Sequence, residues 1–166
     1  TGESSHQMRF PQFQLTEAQF EAIFPGLTGS HFRITSDETP FYNCIAYAAG
    51  DDGRWWWPDS SSYWPIDERI PTVECFINAF QTLNYQVCDS GSLEPGYEKV
   101  AIYVDSAGQP THMARQVNQY GDWKSKCGKS QDIIHSPQAL EGVSYGTIHT
   151  YMSRPLQIGT SVDPNT

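Results

Sequence analysis

Positive charge is scarce in this chain: 10 Lys and Arg stand against 19 Asp and Glu, a formal net charge of -9 over 166 residues. An acidic surface repels phosphate, which excludes nucleic acid and anionic membranes as partners. Charged residues of either sign are few, 17% of the chain against about 25% in a typical domain. No apolar run approaches about 18 residues, so no membrane insertion is expected. Cysteine is limited to Cys44, Cys75, Cys88 and Cys127, without a C-x-x-C pair or a Cys/His zinc spacing. That excludes a structural zinc site and a fold held by a disulfide framework. No G-x-G-x-x-G and no P-loop is present, and Asp51-Asp52-Gly53 is too short for a calcium loop, so no cofactor is expected. The residues from Thr1 to Gln7 show no positive stretch followed by an apolar one. The expectation is a cytoplasmic protein, or one exported without a visible signal peptide.

Aromatic residues are abundant, 13% of the chain, which opposes disorder. The length suits one domain spanning 1–166, with an ordered core at about 10–158. Thr16 followed by Gln19 makes a capping box for a helix ending at Pro25-Gly26. Asn43 precedes a short small-residue helix over 44–49 that ends at Gly50. Val73, Phe76, Ile77, Phe80 and Leu83 repeat at helical spacing and predict a third helix from Pro71 to about Asn84. Beyond residue 84 the pattern changes to strands over 85–88, 99–105, 111–117, 122–127, 133–134 and 145–152. Helices first and a meander second predict an α+β fold with four to six mainly antiparallel strands. Residues 51–70 carry no periodicity but hold Trp55, Trp56, Trp57 and Trp64. They read either as a lid packed on the core or as the lining of a substrate groove.

The chemistry centres on Cys44 and His112. A thiol at a helix start meets unpaired backbone N–H groups and the positive end of the helix, which favour the thiolate and can hold an oxyanion. Asn43 either adds a donor to that oxyanion site or only caps the helix. His112, opening a strand, is the base for such a thiol, and an ion pair between the two is expected. If Asn118 and Gly121 flank a two-residue turn, facing residues have numbers that sum to 239. Ser125 then shares the face of His112 and becomes the group that orients it. His135 and Asp122 are the alternatives. Lys126 and Arg115 offer a small basic spot for a substrate carboxylate, or are simply exposed strand residues.

The arrangement resembles the papain-like superfamily of cysteine hydrolases, which includes peptidases and NlpC/P60-type amidases. Within it the chain is similar to a family of small bacterial proteins of unassigned function. The shared motifs are Asn43-Cys44-Ile45-Ala46-Tyr47-Ala48, Glu98 to Tyr103, Pro110-Thr111-His112-Met113-Ala114-Arg115-Gln116, and Trp123-Lys124-Ser125-Lys126-Cys127-Gly128. His135 and Leu140-Glu141-Gly142-x-x-Tyr145-Gly146 complete the set. The resemblance implies a papain-like fold, Cys44 as nucleophile and His112 as base, with Ser125 where relatives usually place Asn, Asp or His. It implies cleavage of an amide bond in a peptide, protein or peptidoglycan-like substrate. Deamidation or acyl transfer on the same couple, or a non-catalytic binding module built on the Trp-rich loop, are the competing expectations.

Overall fold

A computed structural model describes residues 14–118 and 120–156. The expected frayed ends and the limits of the ordered core at 10 and 158 fall outside the described residues. Helix α1 (Glu17–Ile23) begins where the capping box places it: the Thr16 side chain accepts from the Gln19 amide, and the Gln19 side chain accepts from the Thr16 amide. Helix α2 (Cys44–Ala49) is capped by Asn43, whose Oδ1 accepts the Ala46 N–H at 3.0 Å, and is ended by left-handed Gly50. Helix α3 (Val73–Gln81) is capped by Thr72 and buries Cys75, Phe76, Ala79 and Phe80. It stops earlier than periodicity predicts because Asn84 turns left-handed and the Tyr85 N–H closes back on the Phe80 carbonyl.

Seven strands form one wholly antiparallel sheet: β1 (Arg33–Ile34), β2 (Gln86–Cys88), β3 (Tyr97–Val104), β4 (Pro110–Gln116), β5 (Trp123–Lys126), β6 (Asp132–His135) and β7 (Thr147–Pro155). Their order across the sheet is β1-β6-β5-β4-β3-β7-β2. The chain is therefore α+β, with seven strands in place of the expected four to six. The addition is β1, whose two residues are too few for alternation to register. Arg115 faces Lys124 and Gln116 faces Trp123, which is the pairing that a two-residue turn at 118–121 requires.

Strand alternation divides the interior into two cores on opposite faces of the sheet. Val100, Ile102, Met113 and Met152 pack under α2, α3, Trp56 and Trp64. Ala101, Tyr103, Ala114, Trp123 and Ile133 meet Phe20 of α1, Phe24, Leu27 and Leu140 on the other face. Each fully buried Phe or Ile contributes about 1.5–3 kcal/mol from burial alone. Together they hold β4 rigidly between the layers, which fixes what its side chains can reach. No helix among the described residues is long and apolar enough to cross a membrane.

Candidate active site

Helix α2 packs on β4 and β5, bringing Cys44 to the floor of an open cavity of about 340 Å³. Trp55, Trp57 and Asp59 line one side, and Thr111, Gly128 and Tyr145 the other, with Asn43 beside the sulfur. Cys44 is 8% exposed, enough to touch that space. Backbone groups of Met113, Ile45 and Cys44 itself hydrogen-bond the sulfur. Met113 follows His112 on β4, so the strand that holds the thiol also carries the expected base.

Asn43 is committed elsewhere. Besides capping α2 it accepts the Trp56 N–H on Oδ1 and donates Nδ2 to the Trp56 carbonyl at 2.7 Å. Its carboxamide ties the Trp-rich loop to α2, and the backbone N–H groups around the sulfur are the other donors available to an oxyanion. Of the two expected roles of Asn43 the structure shows the cap.

His112, Ser125 and His135 form a buried chain on the sheet face opposite the Met113 side chain. His112 Nε2 lies 2.8 Å from Ser125 Oγ, and Ser125 Oγ lies 2.7 Å from His135 Nε2. The direction of every proton follows from the far end. His135 Nδ1 sits 2.8 Å from the Ser136 carbonyl, which can only accept, so Nδ1 carries the proton and Nε2 a lone pair. Ser125 then donates to His135, and its oxygen accepts from His112 Nε2–H. His112 is left with a bare lone pair on Nδ1, and that atom is buried without a hydrogen-bond partner among the described residues. The alternatives for the orienting group thus resolve into a series, Ser125 first and His135 behind it. Asp122 stays in the turn, accepting from Asn118 Nδ2.

Burial sets the charges. It pushes the Cys44 thiol up to about 11, holds His112 well below the usual histidine range, and takes His135 down to about 4. Burial does not favour the expected thiolate–imidazolium ion pair: at rest Cys44 is a thiol and His112 a neutral imidazole, and no hydrogen bond joins them. The short α2 dipole does not offset the loss of water. A histidine depressed in the folded state stabilises the fold above its unfolded pKa, near 6.5, and loses that contribution as pH falls through the folded value. For His135 alone the loss is roughly 3 kcal/mol between about pH 6.5 and 4, and His112 acts in the same direction. Urea melts at pH 7, 5.5 and 4.5 should show a falling midpoint, and His135→Gln should flatten that fall. A midpoint unchanged down to pH 4.5 contradicts the neutral buried pair.

The Trp-rich loop splits. Trp56 and Trp64 are 4% exposed and belong to the core with Phe76 and Phe80, so their expected substrate-binding role is corrected to a structural one. Trp55 and Trp57 do reach the cavity. Neither basic residue forms a substrate site: Lys126 is fully buried, its ammonium donating to the Thr39 and Gly128 carbonyls. Arg115 does not line the cavity. Sequence reasoning missed Tyr145, whose ring stacks on His112 with centroids 3.9 Å apart and planes 7° from parallel. Its hydroxyl is hydrogen-bonded to the Cys127 thiol, and it lines the cavity with Cys44. The one available signal was its place beside Gly146 in the last shared motif.

Residues 33–153, from β1 into β7, match a family described as a domain of unknown function, DUF7689. The chain belongs to that family. The matched span includes every residue of the His112–Ser125–His135 chain and of the cavity, while α1 lies outside it. No curated protein and no solved structure matches the chain.

Proposed function

We propose that the protein is a cysteine hydrolase of papain-like architecture that cleaves an amide bond in a peptide or protein. The observation that carries this reading is the unpartnered lone pair of His112 Nδ1, buried on the strand whose next residue hydrogen-bonds the Cys44 sulfur. A buried polar atom without a partner costs about 1–3 kcal/mol, and a base awaiting the proton of a nucleophile accounts for that cost. A helix opening on cysteine, packed against an antiparallel strand bearing histidine, supports the papain-like comparison.

In this mechanism the proton moves as the bond forms, because neither group is charged at rest. Cys44 Sγ attacks the carbonyl carbon while His112 Nδ1 takes the thiol proton. The tetrahedral oxyanion receives backbone N–H donation beside the sulfur. The C–N bond then breaks, His112 returns its proton to the departing amine, and an acyl thioester remains on Cys44. Water, deprotonated by His112, releases the acid and restores the thiol.

Two measurements test the proposal. Incubation with a panel of peptide amides, followed by acid quench and intact-mass spectrometry, should trap an acyl adduct on Cys44 that Cys44→Ala lacks. The products separate hydrolysis of the chain from deamidation of a glutamine side chain or transfer to an added amine. Turnover without an adduct, unchanged in Cys44→Ala, removes the proposal. Second, alkylation of Cys44 by iodoacetamide should rise steadily with pH toward about 11, following the thiolate fraction. A rate already on its plateau at pH 6 means an ion pair and overturns the neutral resting state.

A further inference from the structure

We propose that the cavity over Cys44 selects substrates bearing a cationic group, an ammonium or guanidinium, one side chain away from the scissile amide. The inference rests on Cys44 being the nucleophile and adds the chemical class of what it attacks. Among the described residues lining the cavity the only charge is that of Asp59, an exposed residue of the Trp-rich loop. Its carboxylate accepts from the amides of Ser61 and Ser62 at 3.0 and 2.9 Å and from the Ser61 hydroxyl. That turn pins the group and favours its anion, and Asp59 titrates below the usual carboxylate range. Three aromatic residues, Trp55, Trp57 and Tyr145, share the walls, and aromatic faces attract cations. An anion flanked by indoles recognises a positive charge.

The neighbouring cations do not reverse this. Arg69 donates to the backbone carbonyls of Asp59 and Ser62, bracing the turn. Arg54 pairs with Asp51 and lies 3.5 Å over the Tyr63 ring, within the loop itself. Lys126, whose charge acts on Cys44, is fully buried, bonded to two carbonyls, and set against Asp132. An incoming side chain therefore meets Asp59 as the one charge on the cavity lining.

The test needs no known substrate, because Cys44 itself reports the field. Methanethiosulfonate reagents with an ammonium, a sulfonate or a neutral methyl tail are matched in mechanism: the thiolate attacks the sulfenyl sulfur and methanesulfinate leaves. Rates at Cys44 are measured at pH 8.5 by peptide mapping and normalised to the same reagents on 2-mercaptoethanol. The normalised ammonium-to-sulfonate ratio should exceed unity by about fivefold to tenfold, and fall toward unity in high salt. Asp59→Asn keeps the acceptor that the turn needs, so it should fold with an unchanged melting temperature and lose most of the preference. A ratio at or below unity, or one that Asp59→Asn leaves intact, overturns the cation pocket while leaving the nucleophile in place. A Cys44 that even the neutral reagent leaves unmodified overturns the nucleophile reading and this inference with it.

Discussion

If the proposed hydrolase reading holds, replacing Ser125 with alanine should cost the protein most of its turnover and a measurable part of its stability, both from the loss of one oxygen. Among the described residues Ser125 Oγ is the sole hydrogen-bond partner of His112 Nε2, and it is the link to His135. In Ser125→Ala two imidazole nitrogens lose their partners where no side chain or solvent replaces it, since all three residues are nearly or fully inaccessible. Stranding buried polar atoms costs about 1–3 kcal/mol each, so a loss of about 2–4 kcal/mol in a urea melt is expected. The catalytic loss has a different origin. Without Ser125 nothing confines the His112 proton to Nε2, and an imidazole with its proton on Nδ1 cannot receive one from Cys44. A positioned base contributes about 10²–10⁴-fold, and a mixed tautomer population should forfeit about tenfold to hundredfold of it. Nitrogen-15 spectra separate the two effects: His112 should read as the Nε2–H tautomer in the native protein and as a mixture in Ser125→Ala. An unchanged tautomer would mean that Ser125 is a packing residue and the series ending at Ser136 is idle.

How far this chain was legible in the sequence depends on how local each determinant is. Asn118 and Gly121 mark a tight turn, the turn sets the register, and the register places Ser125 on the face of His112. That is short-range information, and it sufficed. His135 enters from β6, one strand further out, and its donor direction depends on a carbonyl of its own neighbour, Ser136. Sequence could nominate it but could not order it behind Ser125. Protonation states were beyond reach for a physical reason. Helix-dipole arguments treat Cys44 as half solvated, whereas α2 is pressed onto β4 and the sulfur is desolvated more than its amide partners compensate.

The fold shows the same division. Caps at Thr16 and Asn43 and the alternation along β3 are local signals, and each lies where it was expected, while Thr72 adds a cap to the helix placed after Pro71. The four tryptophans are alike in sequence and separate only through tertiary partners. Asp51 accepts the Trp56 indole N–H at 2.8 Å, and Phe76 packs at a tilt against Trp64, while Trp55 and Trp57 reach the cavity. Composition named the loop as important and could not say which rings faced which way.

The largest single loss of stability is expected from one methyl group at Gly146. Its φ of 77° lies in the left-handed region, and a Cβ there would sit 1.8 Å from the Val104 carbonyl oxygen and 2.7 Å from its carbon. Both atoms are main chain on β3, paired on each side within the sheet, so neither can withdraw. Gly146 also closes the 142–146 loop through reciprocal hydrogen bonds with Gly142 at 2.8 and 2.9 Å. Gly146→Ala must therefore break that closure or push β3 aside, at about 3–5 kcal/mol, a large share of the roughly 5–15 kcal/mol that holds a domain together. Gly128 is the internal comparison. Its φ of 59° is also left-handed, but nothing lies within 4 Å of a Cβ built there, so Gly128→Ala should cost only about 1 kcal/mol. The difference matters to the site because Tyr145, the residue before Gly146, lies flat on the His112 ring. Gly146→Ala at a temperature where it remains folded should thus slow Cys44-dependent turnover as well, through a displaced Tyr145. Equal melting temperatures for the two alanine variants would show that the 142–146 loop yields freely and that Tyr145 is held by its stacking alone.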